Sequence, residues 1–486
     1  MTKENFFKYL SARKQTFLRV APAVLLVLCA LALVHWKRGT SQASASSYPH
    51  EVSRITFAAA GDVIPHQAVV QAASILQNQA AAEAAKNPAL QTPETQTPAT
   101  TAPEIKDAAA PPASPNTHAG WDALLAPVAD VFRNADFGFV NLETPVAPAH
   151  SRGTKAFQFD APILLLQSLK SSGIKIVSFA NNHVFDQNQG GFAETLDHLR
   201  EQGLLFAGSG PTAEAAWKPV IVEKNGIKVG WLGMTRWLNG HRNPQRAGEP
   251  HVAFVPYSGG GPDGPGSSEA EVLDAIRSAR SECDLLLVSI HWGIEYAPAP
   301  QPRDVEFAHN MLEAGAGAII GHHPHVLQPI ETYLTKDQRN TIIIYSLGNF
   351  LSNQARNYVG GLMPDKSGDP RDSLVVRFSV VKRDYGPAGT RVELADMGIL
   401  PVWGENNYLP FRSGHTKTPA IGPVFIDRET PPLRARLDEL EHLGQLTNDQ
   451  KQEVIKVSRK LELLEHRREI LLARTGDEFL IPPLKQ

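Results

Sequence analysis

Residues 178–186 read S-F-A-N-N-H-V-F-D and crowd two amides, an imidazole and a carboxylate into one short loop. Each group needs a hydrogen-bond partner or water, so gathering them at a strand end does nothing for folding alone. His183 can give a proton to a leaving group, with Asp186 orienting its ring. Similar deliveries recur along the chain. Asp62 follows the apolar run 55–60, and Asn141 with Glu143 ends D-F-G-F-V-N-L-E. His291 and Glu295 follow the apolar run 284–290, and His323 with His325 follows Ala318-Ile319-Ile320.

A mixture of carboxylate, amide oxygen and imidazole suits zinc, manganese or iron rather than a thiolate site. Two such ions bridged by one carboxylate would polarise a phosphoryl or acyl oxygen and activate water. The H-x-H pair around Pro324 is the most specific signal, because it fixes two imidazoles on one loop. Taken singly, each residue has a structural reading: Asp62 as a helix N-cap, His291 as a core histidine, Asn181-Asn182 as a turn. Those readings leave unexplained why every such group falls at a strand end, and that favours a site.

The positioning elements follow from periodicity. Apolar runs predict strands over 55–60, 136–142, 174–179, 204–207, 284–290, 318–320 and 341–345, with helices over 121–132, 161–170, 192–202, 269–281 and 303–314. Asn225-Gly226 between two apolar runs predicts a hairpin. Alternating residues over 373–382 and 390–400 predict antiparallel strands with one wet face. Residues 239–268, rich in Gly, Pro and Asn, predict a long surface loop. Helices alternating with strands argue for a layered α/β domain.

Between 71 and 116 the composition shifts to Ala, Pro, Thr and Gln, and a flexible insertion is expected there. Leu433, Leu437, Leu440 and Leu443, then Leu461, Leu464, Ile470 and Leu471, fall at helical spacing around a break at 444–449, predicting a helical hairpin over 430–476. At the other end, the basic segment 1–19 precedes an uncharged apolar run over 20–34. Residues 20–36 are read as an uncleaved signal anchor or transmembrane helix, against the alternative of a cleaved signal peptide. That orientation leaves the amino terminus in the cytoplasm and the rest of the chain extracytoplasmic.

The formal net charge of −3 argues against a nucleic-acid partner, which calls for a basic face. The only cysteines, Cys29 and Cys283, fall in the apolar N-terminal run and before a buried strand, so no disulfide framework is expected.

Six motifs in order then resemble the CapA family across 54–402: Gly61-Asp62, Asn141-Leu142-Glu143, Ala180-Asn181-Asn182-His183 with Asp186, His291-Trp292-Gly293 with Glu295, Gly321-His322-His323-Pro324-His325-Val326, and Ser346-Leu347-Gly348-Asn349-Phe350. That family is associated with poly-γ-glutamate capsule synthesis and is similar in fold to calcineurin-like metallophosphoesterases. The resemblance implies a four-layer α-β-β-α sandwich. It implies Asp62, Glu143, Asn182, His291, His323 and His325 as ligands of divalent ions, two in number, with His183 as acid. Asn181, Glu295, Asn349 and His66 are expected to contact substrate. Those enzymes begin D-x-H, whereas here Asp62 is followed by Val63-Ile64 and the nearest histidine is His66. Glu143 also stands where they place an aspartate.

Two functions fit these readings. One is a metal-dependent hydrolase or transferase acting on an anionic envelope polymer, with Arg152, Lys155, Arg236, Arg242 and Arg303 as candidate polymer contacts. The other is a non-catalytic subunit that binds the polymer or scaffolds a capsule synthase at the membrane.

Overall fold

The computed structural model describes residues 48–86, 117–257 and 264–481. Strands and helices alternate as β1 (His50–Val63), α1 (Gln67–Lys86), α2 (Ala119–Arg133), β2 (Phe137–Leu142), α3 (Ile163–Ser171), β3 (Ile174–Ser178), α4 (Asn188–Glu201), β4 (Leu205–Ala207) and β5 (Ser209–Gly210). Next come β6 (Val220–Lys224), β7 (Ile227–Thr235), β8 (His251–Val252), α5 (Glu269–Ser281), β9 (Leu285–His291), α6 (Pro302–Glu313), β10 (Ala318–His322), β11 (Ile330–Leu334), β12 (Asn340–Ile344) and β13 (Asn349–Leu351). β14 (Asp372–Asp384), β15 (Thr390–Asn406), β16 (Ile421–Phe425), α7 (Ile426–Glu441) and α8 (Asn448–Thr475) follow.

The domain is α/β. An eight-stranded sheet runs β16-β15-β14-β1-β2-β3-β4, with β13 also paired to β1, and a six-stranded sheet runs β11-β12-β10-β9-β7-β6. β1 through β4 pair in parallel, as do β7, β9, β10 and β12. Because successive side chains alternate between faces, Ile55, Phe57 and Ala59 join a core with Trp231, Leu287 and Ile320 of the other sheet, while Ala58 and Ala60 join the core under α1 to α4. β9 divides likewise, with Leu285 and Leu287 in the first cluster and Leu286, Val288 and Ile290 packed with α5 and α6. Phe139 and Trp231 stack at 4.3 Å within the shared core. A small separate unit holds residues 48–52 and 383–391, in which Tyr48 packs 5.4 Å from His50.

Asn225 and Gly226 both have positive φ, 53° and 71°, and close the β6-β7 hairpin as the dipeptide predicts. Elsewhere the structure corrects the sequence reading. The insertion expected from 71 begins as helix α1, whose Ala68, Val69, Ala72 and Ala73 are small enough to seat closely in the core; residues 87–116 lie outside the described residues. The expected loop 239–268 contains β8, which pairs with β5, and Asn243 adds two hydrogen bonds to Val252, at 2.8 and 2.9 Å. The C-terminal hairpin is present, but α7 starts at Ile426, before Pro431 and Pro432. Buried Ile426 and the two-pronged pair of Arg428 with Asp130, 2.7 Å at each oxygen, fix its first turn.

The expected anchor over 20–36 lies outside the described residues, and among those described no helix is long and apolar enough to cross a membrane. Cys283 is buried with a free thiol.

Candidate metal centre

The site is assembled where strands of both sheets end. On β1, Asp62 pairs in register with Asn141 of β2 and Asn349 of β13. Gly61 permits this crossing, since a Cβ there would stand 1.9 Å from the Gly348 carbonyl oxygen, which also accepts the Asp62 N–H at 3.0 Å. The sheets meet again at Gly208 and Gly233, where a Cβ on Gly233 would lie 2.7 Å from the Ala207 backbone. On β9 and β10, His291 stands opposite His322. His323 and His325 follow with φ of 96° and 57°, left-handed values that cost a non-glycine residue energy and occur mostly at functional loops.

These strand ends bring buried carboxylates and imidazoles together. Glu143 Oε1 lies 3.6 Å from His291 Nε2, 3.8 Å from His325 Nε2 and 3.9 Å from His183 Nε2, and has no hydrogen-bond partner among the described residues. Asp62 Oδ1 accepts from Asn141 Nδ2 at 2.9 Å and lies 3.2 Å from His322 Nδ1; its Oδ2 lies 3.1 Å from His325 Nδ1. Asn182 Oδ1 is 2.9 Å from His291 Nε2. Ligand atoms of Glu143, His323 and His325, and likewise of Asp62, Glu143 and His291, fall within 4.8 Å of one another. His323 Nδ1 and His322 Nε2 are buried without hydrogen-bond partners among the described residues. Buried polar atoms are rarely left so, and hard and borderline donors converging in this way fit a divalent cation.

Electrostatics agree with that fit. Burial raises the Glu143 carboxyl well above its usual range, and the charges of Asp62, Glu295 and Asp186 add to it. Burial opposes ionisation of Asp62 too, but contacts with His322 and His325 outweigh it and hold the pKa low. Burial, reinforced by His325, lowers His323 to about 3, and burial with His323 lowers His291 well below the usual imidazole value. Neutral rings keep the lone pairs a cation needs.

His183 and Asp186 stand as a pair, with His183 Nδ1 2.8 Å from Asp186 Oδ2. That carboxylate oxygen also accepts the Phe159 N–H at 2.6 Å, and the Phe159 ring packs 4.4 Å from the imidazole. The residues expected to contact substrate divide. His66 packs edge-on against the same Phe159 ring at 5.0 Å, and burial lowers its pKa to about 4. Glu295 is exposed on the turn after β9. Asn181 is used internally: Nδ2 donates to the Leu142 carbonyl at 2.8 Å, and Oδ1 accepts the His183 N–H at 3.1 Å. Asn349 Nδ2 braces the loop by donating to the His325 carbonyl at 3.2 Å and the Pro370 carbonyl at 2.9 Å.

Arg236, expected as a polymer contact, is buried, paired with Glu269 and stacked on Tyr257 and Phe307. The sequence pattern sets Asn141 beside Glu143 at a strand end without a role of its own, and gives none to His322. The signal for Asn141 was its place two residues before Glu143 on one strand face, and for His322 its place at the end of a buried strand.

A family model described as bacterial capsule synthesis protein PGA_cap matches residues 56–354, and the chain belongs to that family. It is 30% identical over 271 residues to the PGA biosynthesis protein CapA of Bacillus subtilis (strain 168), covering 55% of this chain and 63% of that one. It is 30% identical over 280 residues to the capsule biosynthesis protein CapA of Bacillus anthracis, covering 55% and 60%. The chain thus spans less than two thirds of the length of these relatives.

Proposed function

We propose that this protein is a metal-dependent hydrolase or transferase of capsule biosynthesis acting on an anionic polymer, with poly-γ-glutamate as the substrate suggested by the names of its relatives. The observation that carries the reading is Glu143 Oε1, buried, unpartnered and facing three imidazole nitrogens within 3.9 Å. Asp62, Glu143, Asn182, His291, His323 and His325 hold divalent ions, two by analogy with phosphoesterases, drawn from manganese, zinc or iron. When bound, such ions supply Lewis acidity toward a phosphoryl or acyl oxygen and toward water. Asp186 keeps the His183 Nδ1 proton in place, which leaves Nε2 to exchange a proton with the leaving group. The reading extends to a four-layer α-β-β-α sandwich, supported by the cluster shared between the sheets and the helix-backed cluster on each. It also places the domain outside the cytoplasmic membrane on the anchor at 20–36, beside synthase subunits, on the strength of the N-terminal charge pattern.

Elemental analysis of the purified chain tests this: transition metal is expected in native preparations and is lost in the double variant His323→Ala, His325→Ala. A wild-type protein that neither carries nor takes up metal overturns it. An activity screen on poly-γ-glutamate and generic phosphodiesters then identifies the bond cleaved.

A further inference from the structure

The C-terminal hairpin lies beyond the 56–354 stretch that the family model matches, yet buried charge ties it to residues 365–372, which lead on to the candidate metal centre. Arg467 of α8 is fully buried. Its Nε donates to Asp372 Oδ1 at 3.0 Å, Nη1 to the Asp365 carbonyl at 2.9 Å, and Nη2 to Asp369 Oδ1 at 2.8 Å as well as to Asp372 Oδ2. Arg474, two turns on, donates to Asp369 Oδ2 at 2.9 Å. A guanidinium held this way is a rigid fork, and removing it strands buried carboxylates.

Two short routes lead from this anchor to the site. Between Asp369 and Asp372, the Pro370 carbonyl accepts from Asn349 Nδ2 at 2.9 Å, and the same Nδ2 donates to the His325 carbonyl at 3.2 Å. Next to Asp372, Ser373 Oγ donates to the Leu347 carbonyl at 3.0 Å, beside the Gly348 carbonyl that accepts the Asp62 N–H at 3.0 Å. His325, at φ 57°, needs such bracing because a left-handed histidine holds only where its surroundings over-determine it.

We propose that Arg467 is a positioning residue for the metal centre. By fixing residues 365–373 it holds Asn349 against the His325 carbonyl, and so sets His325 and Asp62 in the geometry that a cation requires. The inference rests on the reading of this cluster as a metal centre.

The test uses the full chain as wild type, Arg467→Met, Asn349→Leu, their double variant, and Arg436→Ala. The last removes the outer pairs of Arg436 with Glu453 of α8 and with Glu439 of α7. Hydrogen exchange is followed in the metal-free proteins over 321–327 and, as a reference outside the braced loop, over β3, and Mn²⁺ affinity is titrated separately. Arg467→Met and Asn349→Leu are expected to speed exchange over 321–327 and to weaken Mn²⁺ binding, each about tenfold, while β3 stays unchanged. The double variant is expected to be no worse than either single one, and Arg436→Ala to match wild type. The proposal is overturned if Arg467→Met exchanges at the wild-type rate over 321–327, or loosens β3 equally. If Arg467→Met does not fold, Asn349→Leu decides alone, and wild-type exchange there overturns the proposal. A wild-type chain that binds no Mn²⁺ refutes the metal-centre reading, while the exchange arm still decides the positioning role.

Discussion

Glu143 follows the last residue of β2 with one carboxylate oxygen unpartnered among the described residues, and burial keeps its proton on at pH values where an exposed glutamate has lost it. A cation must displace that proton, so binding releases it and affinity falls as pH is lowered. Mn²⁺ titrations in buffers of different ionisation enthalpy are expected to show this release, and Glu143→Gln to abolish it. His183 touches no second carboxylate as closely as Asp186, and its Nε2 faces the ligand cluster at 3.9 Å. His183→Ala is expected to retain fold and metal while losing about 10²- to 10⁴-fold in turnover; unchanged function would favour the scaffolding reading. His66 supplies a pH signature of stability. In the unfolded chain it protonates near pH 6.5 but in the folded protein only near 4, so the unfolded state binds more protons in that window. Stability of the metal-free protein is therefore expected to fall as pH drops from about 6.5 to 4, and His66→Gln to flatten the decline in urea titrations.

At the scale of elements, β1 is the keystone, because its end meets β2 and β13 in one register while its flanks feed two cores. Gly61→Ala drives a methyl carbon into the Gly348 carbonyl, a backbone atom that cannot rotate aside. The expected cost is about 1–3 kcal/mol, seen as a lower denaturation midpoint, together with weaker Mn²⁺ binding as Asp62 shifts. The helices and long strands were legible because their apolar periodicity is a property of neighbours in the chain. β11, β13 and β16 were not, being short segments whose strand character comes from the partners they pair with. α1 was missed for a related reason: its alanine-rich face carries little hydrophobic signal and becomes a core surface only against α2, whose Gly120 packs directly on it.

For the whole molecule, a slight negative net charge would repel the proposed anionic polymer at long range, so its recognition would rest on local cations. Exposed Arg242, and Arg303 stacked on Tyr257, remain available for this, whereas Arg236 is consumed in packing. Binding of poly-γ-glutamate is accordingly expected to weaken as salt rises from tens to hundreds of millimolar, measured by fluorescence anisotropy with labelled polymer. By itself the sequence determined the α/β class, the order of most elements and the strand ends that carry Asp62, Glu143, His183, His291, His323 and His325, since apolar runs and the polar loops after them are local patterns. Only the tertiary structure decided that Glu143 Oε1 faces nitrogens delivered by three separate strand ends, that Asn181 and Asn349 brace rather than point outward, and that Arg467 of α8 is tied to the segment beside Asn349. Most of those contacts join residues from about 20 to more than 100 positions apart, and sheet order and core packing, which no local pattern encodes, determine which of them meet.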